Sequence, residues 1–234
     1  MALKPQSPTC SFFGGFFIYT GCMLRKHWGA ALWVLSIQYF IVQVIAATAY
    51  TGNYSWAHNT ISDLGNTVCG AYVQRYVCSP LHVVMNTSFI TLGVTQFLGA
   101  VLLNQATPRF RWQLAGYTCM GLAGLGTILV GLYPENSVRL LHAIGAALPF
   151  VLGNVALLLL AEQPSLPQWL RRYSQVSGSV GLAALLLFIT HNYLGIGQGG
   201  MERFVAYPQT FWMIVIGVYY IRGMWLAPKD SKAA

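Results

Sequence analysis

Six stretches of this chain run apolar for about twenty residues almost without charge, and each is bounded by glycine, proline, asparagine or charged residues. They fall at Gly29 to Ala49, Leu81 to Leu103, Gln113 to Tyr133, Val138 to Ala161, Val176 to Leu194 and Pro208 to Ala227. About twenty helical residues at roughly 1.5 Å each cover the roughly 30 Å of bilayer hydrocarbon, so each stretch reads as a membrane-crossing helix. A further apolar run, Ser11 to Leu24 (SFFGGFFIYTGCML), is shorter and reads as an interfacial or re-entrant segment, with a seventh crossing as the alternative. The pattern predicts an all-α integral membrane bundle. An N-terminal segment 1–28 precedes a transmembrane bundle 29–227, and a short solvated tail 228–234 follows.

Composition supports this class. Of 234 residues, 56% are hydrophobic and only 8% are charged, which excludes an ordinary soluble domain. The 13 Lys and Arg outnumber the 5 Asp and Glu, but no basic cluster lies on an aromatic platform, so a nucleic-acid partner is not expected. The cations are better read as topology. With six spans, Lys4, Arg25, Lys26, Arg109, Arg111, Arg171, Arg172, Arg222, Lys229 and Lys232 share one side, and Arg75, Arg139 and Arg203 share the other. That asymmetry predicts a multi-pass protein of the cell membrane with both termini cytoplasmic. Asp63, Glu135 and Glu202 then face outward, together with His58, His82, His142 and His191.

The outer segments contain the candidate chemistry. In NTISDLGNT, Asp63 stands between small polar residues just beyond the first span, and His142, Arg203 or His82 is the expected holder of its charge. The same loop carries Cys69 and Cys78, which form a bridge if the outer compartment is oxidising and are otherwise two thiols. In SPLHVVMNTSF, Pro80 suits a first helical turn, while His82 and Asn86, four apart, share a face and serve either a site or interhelical hydrogen bonding. In GLYPENSVRLLHAIGAALPF, Arg139 and His142 open the fourth span, and Pro149 cannot bond the carbonyl of Gly145 one turn below His142. The stretch GIGQGGMERFVAYP reads as a glycine-rich outer loop that brings a Glu202–Arg203 pair to the start of the sixth span. Zinc is not expected, because no two histidines have ligand spacing on one helix.

The order of ISDLGN (Ile61 to Asn66), SPLHVVMN (Ser79 to Asn86), GLYPEN (Gly131 to Asn136) with LHAIGA (Leu141 to Ala146), and GGMERFVAYP (Gly199 to Pro208) resembles the family catalogued as domain of unknown function 998. That resemblance covers about residues 30 to 227. It implies a six- or seven-span membrane protein in which Ser62, Asp63, Asn66, His82, Asn86, His142, Glu202, Arg203 and Tyr207 occupy motif positions. It implies no particular reaction.

Two functional readings follow. The first is a membrane-embedded enzyme that uses acid–base chemistry on a lipid or isoprenoid-type substrate, by cyclisation or hydrolysis. Asp63, His142, Glu202 and His82 would be its catalytic groups, while Ser62, Asn66, Asn86, Arg139, Arg203 and Tyr207 would bind substrate. Its partners would be the bilayer and an apolar or amphiphilic small molecule, with no cofactor. The second is a non-catalytic binding, transport or accessory protein. The halves show no convincing repeat, and the polar residues lie near one face, which disfavours alternating access.

Overall fold

The computed structural model describes residues 16–73 and 75–225. It is a multi-pass bundle in which six helical segments are long and apolar enough to cross a membrane: Gly21–Thr48, His82–Ala106, Gln113–Leu132, Arg139–Leu160, Gln168–Ile189 and Gly197–Gly223. The first crossing is built from α1 (Phe16–Leu35) and α2 (Gln38–Thr48), joined through a turn at Ser36 and Ile37. α3 (His82–Ala106) and α4 (Gln113–Leu132) form the second and third. The fourth consists of α5 (Arg139–Leu148), a π-helical turn (Pro149–Gly153) and α6 (Asn154–Leu160). α7 (Gln168–Ile189) and α8 (Gly197–Trp225) complete the set.

Three boundaries differ from the sequence reading. Phe16 to Leu24 is the first part of α1, which runs on to Leu35, and is not a separate interfacial piece. Residues 11–15 of that apolar run lie outside the described residues. α7 begins eight residues before Val176, because Leu170 is fully buried and Arg171 donates from Nε to the Ala161 carbonyl at 2.9 Å. α8 begins at Gly197, so all of the stretch read as a glycine-rich loop except Gly195 and Ile196 is helix.

The core is closed by aromatic contact and by small residues. Trp33 is fully buried, with its ring centroid 5.3 Å from Trp212 and 6.2 Å from Tyr117, and its indole N–H donates to the Gln96 carbonyl at 3.3 Å. α3 and α4 approach so closely that a Cβ on Gly93 would collide with the Gly124 carbonyl oxygen, which only backbone without side chains permits. In the fourth crossing, Pro149 lacks the donor an α-helical ladder needs, and the chain widens into one π turn. The buried Asn154 then bridges crossings, its Nδ2 donating to Phe150 and Val205 carbonyls at 2.9 and 3.0 Å.

The connection from Tyr50 to Leu81 is ordered. It contains a 3₁₀ turn (Ser62–Gly65) and an antiparallel hairpin of β1 (Gly70–Tyr72) and β2 (Arg75–Val77), with Ala71 opposite Tyr76. Cys69 and Cys78 flank the hairpin and are disulfide-bonded. This end of the bundle is called the hairpin end below.

Candidate functional site

The 3₁₀ turn lies over the hairpin end, and its acid is fully enclosed. Asp63 is 0% exposed. Its carboxylate accepts two hydrogen bonds from Arg75, from Nη2 to Oδ1 at 2.7 Å and from Nε to Oδ2 at 2.8 Å. Asn59 Nδ2 and the Thr60 backbone N–H also donate to Oδ2, at 2.9 and 3.1 Å. Burial alone would raise its pKa, but the Arg75 guanidinium, the Glu135 carboxyl and the Asn59 amide outweigh it and hold Asp63 below the ordinary carboxylate range. The charge of Asp63 is therefore held by Arg75, and not by His142, Arg203 or His82. The hairpin reverses the chain at Val73 and brings residue 75 back over residue 63.

Glu135 is the second acid of this layer. Its Oε1 accepts from Asn66 Nδ2 at 3.1 Å, and its backbone carbonyl accepts from the Tyr72 hydroxyl at 3.0 Å. Burial, together with the Asp63 carboxylate that it hydrogen-bonds, pushes its pKa up to about 9. Near neutral pH it is a carboxylic acid donating to an ionised one. Because its folded pKa lies above its unfolded one, the folded state binds the extra proton between the two values. The stabilisation is complete below the unfolded pKa and is lost as pH rises towards about 9. The melting temperature of the detergent-solubilised protein is expected to fall from about pH 6 to about pH 9, and Glu135→Gln to flatten that slope. Equal slopes for both proteins would contradict this assignment.

One residue before Asp63, Ser62 turns towards the bundle and meets His142. Ser62 Oγ lies 3.0 Å from His142 Nε2, and His142 Nδ1 lies 2.8 Å from the Tyr133 carbonyl oxygen. A carbonyl can only accept, so Nδ1 carries the proton and the Nε2 lone pair faces the serine hydroxyl. The imidazole is thus oriented by one hydrogen bond and aimed at a hydroxyl by the other. Glu202 completes the group from α8: it is 6% exposed, and its Oε2 accepts the Ile61 backbone N–H at 2.6 Å, which fixes the residue next to Ser62.

Beneath this group lies an internal cavity of about 50 Å³. Ser62, Glu202 and Tyr39 line its hairpin end, while Gln96, Gln209 and Thr127 line it towards the middle of the bundle. Gln96 Nε2 donates to Gln209 Oε1 at 3.4 Å. At roughly 10–15 Å³ per water, the space suits about three to five waters or one small polar group.

Other predicted site residues take different places. Glu202 and Arg203 do not pair with each other, because successive helical residues point about 100° apart. Arg203 instead clamps the start of the Tyr50 to Leu81 connection. Its Nη1 donates to the carbonyls of Trp56, Asn59 and Gly199 at 2.9, 3.0 and 2.7 Å, its Nη2 donates to Tyr54 Oη at 2.5 Å, and Trp56 stacks 4.9 Å away. A Cβ on Gly199 would run into the Asn59 carbonyl and one on Gly197 into the Ala57 carbonyl, so these two glycines are there for close docking. Tyr207 donates to Gln43 Oε1 at 2.8 Å, away from the serine. His82 bonds through Nδ1 to the Ser79 carbonyl at 2.9 Å and does not join Ser62. Asn86 donates to the Gly65 carbonyl at 2.8 Å, supporting the 3₁₀ turn from below. Asn66 binds Glu135 as above, and Arg139 is exposed at the start of α5. The Gly145 carbonyl packs against Gly126 of α4, so the proline-freed region lines the cavity through Pro149 itself.

The sequence reading puts Arg75 and Glu135 on the outer side but assigns them no part in the site, and it does not single out Gln96 and Gln209 at all. Arg75 was recognisable as the only cation of the long loop that carries a buried acid. The two glutamines are polar residues deep within apolar spans, a signal that usually marks an inward-facing group. Among the described residues, no three of His, Cys, Asp and Glu lie together as metal ligands would.

Comparison with protein families matches residues 30–219 to the family described as "Protein of unknown function (DUF998)". No curated protein and no solved structure matches the chain.

Proposed function

The chain belongs to that family, and we propose that this member is a membrane-embedded hydrolase or acyl transferase in which Ser62 is the nucleophile and His142 its general base. The observation that carries the reading is the serine–histidine hydrogen bond at the mouth of a buried cavity, with the histidine's other nitrogen tied to a carbonyl. Ser62 Oγ would attack an ester carbon as its proton passes to His142 Nε2. The ester C–O bond would then break with return of that proton to the leaving alcohol. Water, or a second alcohol, would release the acyl group from Ser62 by the reverse sequence.

Asp63 does not fit the role of proton carrier to a substrate, since it is fully enclosed and its oxygens accept from Arg75, Asn59, Thr60 and Glu135. It serves by fixing the turn that presents Ser62. Glu202 does the same from α8 through Ile61. Cyclisation of a polyene is disfavoured because about 50 Å³ cannot enclose one, whereas a scissile bond and its water fit. The substrate class is an amphiphilic ester whose apolar part stays in the bilayer. The excess of cations at the opposite end of the bundle, Arg25, Lys26, Arg109, Arg111, Arg171, Arg172 and Arg222, supports an outward-facing hairpin end with cytoplasmic termini.

The test is turnover of a long-chain p-nitrophenyl ester by the purified protein in nanodiscs. Release of p-nitrophenol that disappears in Ser62→Ala is expected. Turnover unchanged in that variant, or none in the wild type, would overturn the reading and favour a non-catalytic role.

A further inference from the structure

α8 presents two unlike faces. Glu202, Ala206, Gln209 and Thr210 line the internal cavity, while Arg203, Phe204, Tyr207 and Phe211 face a different space, an open groove of about 600 Å³ between α7 and α8. Tyr173, Val176 and Val180 form its opposite wall, and Val176 and Val180 are 63% and 42% exposed. On α8 the groove runs from Gly200 to Val215, a length of roughly 20 Å at about 1.5 Å per residue, which matches an extended acyl chain within one leaflet.

The groove is apolar along its length but charged at its hairpin end. Arg203 lines that end and is only 8% exposed. Among the described residues no carboxylate lies within ion-pair distance of it, the ion pairs being Asp63–Arg75 and Glu162–Arg171. Its Nη atoms are spent on carbonyls and on Tyr54, but its Nε–H is buried and has no acceptor. A buried guanidinium with an unused donor and no carboxylate at ion-pair distance is costly unless an anion accompanies it.

We infer that the α7–α8 groove is a binding site for one phospholipid with an anionic headgroup, its phosphate at Arg203 and one acyl chain along Val180, Tyr207 and Phe211. The lipid comes from the leaflet at the hairpin end. Charge complementarity selects the occupant, since a neutral lipid offers no anion and a zwitterionic one, although it offers the same phosphate, brings its own cation beside the guanidinium. The site is independent of the serine–histidine pair, which lies across α8.

The test is native mass spectrometry of the detergent-purified protein titrated with dioleoyl phosphatidylglycerol or dioleoyl phosphatidylcholine. One phosphatidylglycerol per chain, retained at least tenfold better than phosphatidylcholine, is expected. Val180→Trp fills the groove without touching Arg203 and is expected to remove that preference, as is Arg203→Gln. Because Arg203→Gln also releases the loop, Val180→Trp is the deciding variant. Equal retention of the two lipids would overturn the inference. So would a phosphatidylglycerol preference that survives Val180→Trp, because the charge would then be read by the cations at the opposite end.

Discussion

Replacing Arg75 with alanine is expected to destabilise the protein severely, although Arg75 belongs to no transmembrane helix. The substitution leaves Asp63, fully enclosed, beside Glu135 with no cation to hold it. Breaking a buried pair in this way typically costs about 3–5 kcal/mol. Arg75 retains 22% side-chain exposure, so water partly screens the pair and the lower end of that range applies. For a chain of this size about 3 kcal/mol corresponds to a fall of roughly 6–12 °C in melting temperature. The double variant Asp63→Leu, Arg75→Met removes both charges and is expected to recover part of the loss. Thermal denaturation of the two proteins in the same detergent distinguishes the cases. If the single variant melts with the wild type, the ion pair is not what holds the turn.

His142→Gln is expected to lower ester turnover by roughly 10²–10⁴-fold while leaving the melting temperature nearly unchanged. Glutamine can still donate towards the Tyr133 carbonyl, so the local hydrogen bonding survives. It offers no basic lone pair to the Ser62 hydroxyl, so the proton has no destination as the nucleophile attacks. A merely structural histidine would give the opposite pattern, with lower stability and proportionate loss of activity. Comparing kcat with the melting temperature for this one variant separates the two.

How much of this was written visibly in the chain differs by level. The six crossings and the all-helical class follow from apolar run length, which depends on local composition and the thickness of a bilayer. The sequence leaves open whether Cys69 and Cys78 bridge, because their closeness depends on the hairpin that sets them side by side. The start of α8 was not legible, because glycine favours a loop in isolation, whereas here the loop Ala57 to Asn59 packs so closely on Gly197 and Gly199 that no larger residue fits. The Ala57 carbonyl accepts the Gly200 N–H at 2.9 Å, so the helix end is satisfied by tertiary contact and not by a local cap.

The site was half legible. Ser62, His142 and Glu202 come from three distant segments that the sequence singled out, and the fold brings them together. The pairing was misjudged at Asp63. Helical spacing ranks partners by turns of a helix, but Arg75 reaches Asp63 across a hairpin whose register no periodicity announces. His82 was misplaced for a related reason: its ring finds the Ser79 carbonyl at its own helix start, a short-range bond that competes with any site role.

The most direct test of the central claim is whether Ser62 is an activated nucleophile. The purified protein would be treated with an alkyl fluorophosphonate, which loses fluoride as the serine Oγ–phosphorus bond forms and the proton passes to a neighbouring base. Peptide mass spectrometry would then locate the adduct. A phosphonyl adduct on Ser62 in the wild type, slowed at least a hundredfold or so in His142→Gln, is the predicted result. Absence of the adduct on Ser62, or labelling that proceeds equally without His142, would contradict it.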